Sequence, residues 1–158
     1  MALAVSLQLQ NATVGDHDAA RRMIEPQVAG DLARHHSVDD ITALDAAIEQ
    51  AAKAAEMNDN RTFAAAAGVH ETLVEQSGNI TMATLSRLLH VLVNAYHAQS
   101  IHPTDRAAMR RAVRSYRRLV ELIVSSDAEA AISHWQAQMT YTVTGLDPDS
   151  SLTLSVGH

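Results

Sequence analysis

The stretch Phe63–Asn79, FAAAAGVHETLVEQSGN, decides how the rest of this chain is read. Phe63, Ala66, Ala67, Leu73 and Val74 recur at helical spacing and mark one buried face. His70 falls on that same face, so an imidazole sits in the middle of an apolar stripe. Ser77-Gly78-Asn79 then closes the segment: glycine supplies the left-handed residue after a helix, and Asn79 can cap the next one. A polar ring on a core-facing stripe is a first sign of a pocket.

The composition around it agrees with packed helices. Of 158 residues 47% are apolar and only 3% aromatic, so the core is built from Ala, Leu, Val and Ile, which favour helix over sheet. One domain of this length buries a substantial core. The net charge of −6 argues against nucleic acid or an anionic membrane as a direct partner. Without cysteine there are neither disulfides nor thiolate metal sites, which fits a reducing compartment. The opening MALAVSLQLQ lacks the basic region and long apolar run of a signal peptide, and no run reaches the length of a membrane span. A cytoplasmic location is the expectation.

Outward from the quoted stretch, capping signals divide the chain into six helices. Thr13-Val14-Gly15-Asp16 has capping-box spacing with Asp16 in the place of Glu, and a helix follows to about His35, interrupted by Pro26. Ser37-Val38-Asp39-Asp40 opens a second helix with Ile41, Leu44, Ala47 and Ile48 inward, broken at Asn58-Asp59-Asn60. The Phe63 helix is third. A fourth, about Ile80–Gln99, sets Thr84, Leu88, Leu92 and Ala95 along one side, widened by Leu85, Leu89 and Tyr96, so it is buried twice over or lies at an interface. His102-Pro103-Thr104 leads into a fifth helix with a seam of Met109, Ala112, Val113, Tyr116, Leu119, Val120 and Ile123. Ser126-Asp127-Ala128-Glu129 fits a capping box and starts a sixth helix with Ala131, Trp135, Gln138 and Met139 inward. Residues 1–12 are ambiguous, and 144–158 read as a loose tail with room for a short strand.

The turn at Ser126-Asp127 carries a geometric argument. Tyr116 lies eleven residues before Asp127 and Gln138 eleven after it, so an antiparallel hairpin sets them side by side. With His70 they give three helices each offering a hydrogen-bonding side chain to an apolar interior. An unpaired buried polar group costs about 1–3 kcal/mol, so these groups should meet one another, water or a ligand. The plainer alternative is three unrelated core positions, each satisfied locally.

These blocks resemble a known family. Arg21-Arg22-Met23-Ile24-Glu25-Pro26 with Asp31-Leu32-Ala33 is similar to the opening of the FCD domain, the all-helical effector domain of GntR-family bacterial transcription regulators. Val69-His70-Glu71-Thr72-Leu73 with Ser77-Gly78-Asn79 resembles its F-H-x-x-L…S-G-N block, and Ser126-Asp127-Ala128-Glu129-Ala130-Ala131 its late turn, where G-D is usual. The resemblance spans about residues 13–140. It implies an all-α, antiparallel helical bundle of about six helices that binds a small organic acid, often through a metal held by one carboxylate or amide and three histidines. Carried over, the first histidine is His70, the acidic ligand one turn earlier falls on Ala66, and the other histidines fall on Tyr116 and Gln138. One ligand of four remains, and neutral amide and phenol are poor donors, so the family metal is expected to be lost and no cofactor is expected.

The expected ligand-binding set is therefore His70, Tyr116, Gln138 and Ala66, with Arg21 as a cation for a carboxylate and His134 one turn before Gln138. His90 and His97, seven apart, together with His134 offer a displaced metal site that no carboxylate joins at ligand spacing. His17, His35, His36, His102 and His158 fall at helix ends, turns or the tail and are read as solvated. The cluster Arg106, Arg110, Arg111, Arg114, Arg117 and Arg118 reads as a solvated face rather than a DNA contact.

The organisation expected is a linker-helix remnant or disordered lead over 1–12, an FCD-like effector-binding domain over 13–143, and a tail over 144–158. Its function is expected to be ligand sensing and dimerisation, as a homodimer, with no membrane contact. DNA is expected to be reached only through a winged-helix domain that this chain lacks, whether the chain is a fragment of a longer regulator or a free-standing sensor. Two alternatives come from other classes. One is a small helical-bundle enzyme with His70 as general base beside Tyr116, against which stands the lack of a carboxylate near His70 in its motif. The other is a purely structural oligomerisation module.

Overall fold

The computed structural model describes residues 13–57, 62–99 and 106–141, the side chains of 92–99 and of Tyr141 excepted. Four of its six helix starts are fixed by a capping side chain, at Thr13, Ser37, Asn79 and Asp127. Thr13 Oγ1 accepts from the Asp16 amide at 3.1 Å while Asp16 Oδ2 accepts from the Thr13 amide at 2.9 Å, a complete capping box that opens α1, Val14–His35. Aspartate thus serves where glutamate is usual. Pro26 lies inside α1, yet the helix continues through it as one element rather than being interrupted. The proline removes one backbone donor; Glu25, Val28 and Ala29 around it are all buried, and that packing holds the helix through the gap.

Ser37 and Asp40 repeat the reciprocal cap, at 3.2 and 2.7 Å, and open α2, Val38–Met57. In α3, Thr62–Glu75, the first side chain donates from Oγ1 to the Ala54 carbonyl at 3.0 Å and ties the start of α3 to the end of α2. Gly78 then takes a φ of 68°, as expected for the residue after a helix. Asn79 Oδ1 accepts from the Met82 amide at 3.1 Å and caps α4, Ile80–Gln99.

The turn between α5, Arg106–Val124, and α6, Ala128–Tyr141, differs in detail from the sequence reading. Asp127, not Ser126, is the cap of α6, accepting from the Ala130 amide at 3.1 Å. Ser126 belongs to the end of α5: its φ is 58°, its amide donates to the Ile123 carbonyl at 2.9 Å, and the Asp127 amide donates to the Leu122 carbonyl at 3.1 Å. That is a Schellman ending, in which the left-handed position usually goes to glycine.

Short connections make antiparallel neighbours of α2 and α3, of α3 and α4, and of α5 and α6. Helix α1 packs most closely on α6 and also meets α5, α3 and, lightly, α4, while α2 packs on α3 and α5. Gly30 permits the close α1–α6 approach, since a Cβ there would meet Ile132 Cδ1 and Cγ1 at 2.7 Å. The core contains Ala29 and Leu32 of α1, Leu44 and Ile48 of α2, Leu73 of α3, Leu119 and Ile123 of α5, and Ala131, Trp135 and Met139 of α6. Among the described residues the fold is all-α, and the α5 seam and α6 inward stripe lie where the spacing places them.

In helix α4 the buried side chains among those described are Ser86 and His90, while Thr84 and Leu85 are exposed and Leu88 and Leu89 half-buried. Ile80 and Val91 lie outward at 83% and 51% exposure. Among the described side chains of α4 the two buried ones are polar, Met82 packs against the edge of the core, and Ile80, Leu85 and Val91 are exposed. Leu92, Ala95 and Tyr96, the His102-Pro103-Thr104 turn, and the segments 1–12 and 144–158 lie outside the described side chains.

The Schellman turn gives a test. A non-glycine residue in the left-handed region costs about 1–2 kcal/mol, and glycine gives back about 0.4–1 kcal/mol through the freer unfolded chain. Ser126→Gly is therefore expected to stabilise the protein by about 0.5–1 kcal/mol in urea unfolding; a loss of stability contradicts the assignment.

Candidate functional site

His17, Arg21 and Glu25 stand four residues apart on α1 and so form one row on its inner face. Glu25, only 1% exposed, is the centre of that row. Its Oε1 accepts from Arg21 Nε at 2.7 Å, and its Oε2 accepts from His70 Nδ1 at 2.7 Å and from Trp135 Nε1 at 2.9 Å. Tyr116 Oη donates to His70 Nε2 at 3.3 Å. With Nδ1 donating and Nε2 accepting, the network assigns His70 as the neutral Nδ1–H tautomer. The aromatic rings close around it, His70 to Trp135 at 5.0 Å between centroids and Tyr116 to Trp135 at 5.8 Å. Four helices thus each supply part of one buried network.

The protonation states follow from burial and charge. Burial alone would push the Glu25 carboxyl up; Arg21 and then His70 outweigh it and hold it well below the usual carboxylate range. Burial pushes His70 down, against the opposing pull of Glu25, and pushes the Tyr116 phenol up. The pair is therefore a carboxylate facing a neutral imidazole, with the countercharge on Arg21.

Beyond Arg21 the row is less complete. Arg21 Nη1 lies 3.5 Å from Asp18 Oδ1, and its Nη2 lies 3.9 Å from Met139 Sδ. His17 is buried and faces His90 of α4 edge-on, with ring centroids 5.8 Å apart. Both ring nitrogens of His17, and Nε2 of His90, are buried with no hydrogen-bond partner among the described residues. Burial pushes both rings down, His90 to about 3, with the Arg21 charge acting in the same direction.

Of the residues expected from sequence, His70 and Tyr116 meet directly, and Arg21 joins them through Glu25. Ala66 is buried one turn before His70. Gln138 is buried on the inward side of α6, and Trp135 of the same helix packs its ring against Tyr116. His134 is held by α5, its Nε2 at 2.8 Å from the Ser115 carbonyl and 3.1 Å from Ser115 Oγ. Two readings are corrected. A carboxylate does stand beside His70, supplied by Glu25 from another helix, and His17 is a core residue rather than a solvated one. The signal available for Glu25 was its place four after Arg21, inside a block already singled out; the same four-residue step back from Arg21 reaches His17.

The family's metal position does not fit an ion in this chain. Both His70 nitrogens are engaged, by Glu25 and by Tyr116, and Ala66 offers no donor. Among the described residues no three His, Asp or Glu side chains gather as a metal would need. The arginines of α5 lie on its outer face, where Arg117 pairs with Glu49 at 2.8 Å and Arg118 with Glu121 at 2.7 Å.

Two tests follow from the network. Trp135→Phe removes one of the donors to a buried carboxylate and is expected to cost about 1.5–3 kcal/mol in urea unfolding, against near-neutrality if Glu25 did not depend on it. The depressed histidines make stability pH-dependent in a fixed direction. Between their native pKa values and about 6.5, the unfolded chain binds more protons, so stability is full above about pH 7 and falls as pH drops through 6.5, by up to about 1.4 kcal/mol per pH unit for each such histidine. Glu25, depressed as well, adds a further loss once pH falls below the ordinary carboxylate range. Urea unfolding at pH 7.5, 6.5 and 5.5 is expected to show that decline, and His90→Leu to make it shallower; stability that rises on acidification contradicts neutral buried rings.

Comparison with known proteins accords with this architecture. Residues 19–140 match the profile of the family described as the FCD domain. Among solved structures, Streptococcus agalactiae GntR superimposes with a TM-score of 0.67 at 18% sequence identity, over 81% of this chain and 56% of that one. No curated protein matches the sequence. At that identity the structural likeness speaks for the fold alone, but the profile spans most of the 158 residues, and by that match the chain belongs to the FCD domain family.

Proposed function

We propose that this chain is the effector-sensing and dimerisation module of a GntR-family transcription regulator, binding a small polar metabolite, an organic acid in the first instance, inside the bundle. The observation that carries the reading is the α1 polar row, which reaches α3, α4, α5 and α6 from within the core of an FCD domain and ends on imidazole nitrogens with no partner among the described residues. A ligand that docks at the end of that row touches elements across the bundle. Its preference for one arrangement of the helices over another would then shift their population, which is what effector control requires.

On this reading DNA contact is made by a winged-helix domain outside the described helices, and the partner surface is the outward side of α4, where Ile80, Leu85 and Val91 are exposed. No described helix is long and apolar enough to cross a membrane. The sensor reading is preferred to an enzyme with His70 as general base because His70 and its carboxylate are buried and both of its ring nitrogens are already engaged.

A thermal-shift screen of the protein against small carboxylic, hydroxy and amino acids tests the proposal. Binding at one hundred times Kd is expected to stabilise it by about 2.7 kcal/mol, without turnover. Turnover of the stabilising compound favours an enzyme, and silence across the screen favours a structural module. Sedimentation equilibrium is expected to return a dimer that Val91→Glu weakens; a monomer at all concentrations removes the dimerisation half of the reading.

A further inference from the structure

The charge of this chain is unevenly placed. Six of its 12 basic residues, Arg106, Arg110, Arg111, Arg114, Arg117 and Arg118, fall on α5, in a molecule whose net charge is −6. All six are exposed. Arg106, Arg110, Arg114 and Arg118 stand four apart and so share one side of the helix, where like charges at that spacing repel. Two of the six are answered within the protein, Arg118 by Glu121 at 2.7 Å and Arg117 by Glu49 of α2 at 2.8 Å. Arg110 and Arg114 have no ion-pair partner among the described residues.

These two arginines border a groove. Between α2 and α5 lies an opening of about 330 Å³, within the range of small-molecule pockets. It exists because α2 meets α5 here through alanines: Ala52 and Ala55, whose side chains end at Cβ, line its floor with Val113. Ala55 and Val113 are buried and Ala52 half-buried, so the floor is apolar. Arg110, Arg114 and Arg117 come from α5, and Glu56 from the end of α2. Glu56 has no ion-pair partner among the described residues either, although it shares the groove with three cations. With Arg117 held by Glu49, the groove keeps two unanswered positive charges against one negative.

Charge and shape together define the class of ligand. A guanidinium presents a planar fork of donors that matches a carboxylate or a phosphate with two parallel hydrogen bonds. Two such forks one turn apart call for two negative charges, and an apolar floor beneath them calls for a hydrocarbon stem. We propose that the α2–α5 groove binds a small organic dianion, a dicarboxylate or a phosphate monoester, with Arg110 and Arg114 taking its charge and its stem lying over Ala52, Ala55 and Val113. Such a ligand relieves the repulsion along α5, while Glu56 repels it and limits its affinity. The groove shares no residue with the α1 polar row, and the inference does not rest on the sensor reading.

The experiment titrates sodium succinate, sodium propyl phosphate, sodium butyrate or sodium sulfate, each alone and at constant ionic strength, into the whole chain and follows the arginine Nε–H resonances by 15N NMR. Succinate or propyl phosphate is expected to move the resonances of Arg110 and Arg114, and the tighter of the two identifies the source. Butyrate lacks the second charge and sulfate lacks the stem, so both should bind more weakly. Arg110→Gln and Arg114→Gln should each lower the affinity for the dianion at least about fivefold, while the surface control Arg22→Gln keeps it. Glu56→Gln should raise that affinity about twofold or more, a gain that a merely structural role for Glu56 would not give. The arginine variants are expected to fold, because each alters an exposed side chain and removes a repulsion on α5. No shift at Arg110 and Arg114, an affinity that survives replacement of both, or butyrate or sulfate binding as tightly as either dianion overturns the site. An acid that stabilises the doubly substituted protein as well as wild type is bound elsewhere, which removes this site and leaves the sensor reading standing. A dianion bound here, with no ligand whose binding depends on His90, does the reverse.

Discussion

A carboxylate in the interior of a protein is tolerable only when its charge is met, and Glu25 is the point around which this bundle arranges that. Leaving a buried charge without its partner costs about 3–5 kcal/mol, comparable to a large part of a domain's whole stability. Here the countercharge comes from Arg21 one turn earlier on the same helix, and the remaining acceptor capacity is filled by His70 of α3 and Trp135 of α6. Tyr116 of α5 completes the arrangement through His70. The helices that must meet for the apolar core to close are the same helices that must meet for Glu25 to be satisfied. Hydrophobic burial supplies the drive, and the carboxylate restricts which mutual placement is acceptable.

That arrangement also describes what surrounds His70 in this FCD domain. Where the family pattern has an ion and its ligands, this chain has a neutral imidazole fixed between a carboxylate and a phenol, with a tryptophan ring packed over it. Both nitrogens of that imidazole already have partners. The demand has moved along α1 to His17 and His90, which are equally buried and less well served. A ligand gains most where buried groups have no other partner, and His17 and His90 are the end of the row where they lack one among the described residues.

Much of this was legible in the sequence, and the limits have physical causes. Helix positions followed from local rules: Thr13, Ser37 and Asn79 cap where their side chains can reach the backbone, and Gly78 is left-handed as expected. The meeting of His70 with Tyr116 was accessible because each lies on a clear apolar stripe. Glu25 was missed because an acid between Ile24 and Pro26 reads as exposed unless its partners on two other helices are known, and those, His70 and Trp135, lie 45 and 110 residues away. Helix α4 was read as buried on two sides or lying at an interface; among its described side chains Ser86 and His90 are the buried ones, while Leu85 and Val91 are exposed. Periodicity shows that a face exists, not which neighbour it meets.

The account stands on Arg21 and Glu25 acting as one unit within that network, and a double-mutant cycle measures this most directly. Arg21→Met, Glu25→Gln and the double variant would be compared with wild type by urea unfolding at pH 7.5. The account predicts that the double change costs less than the sum of the single ones, with a coupling of at least about 1 kcal/mol. Additive costs would mean that the buried carboxylate is not held by its arginine and would contradict the account.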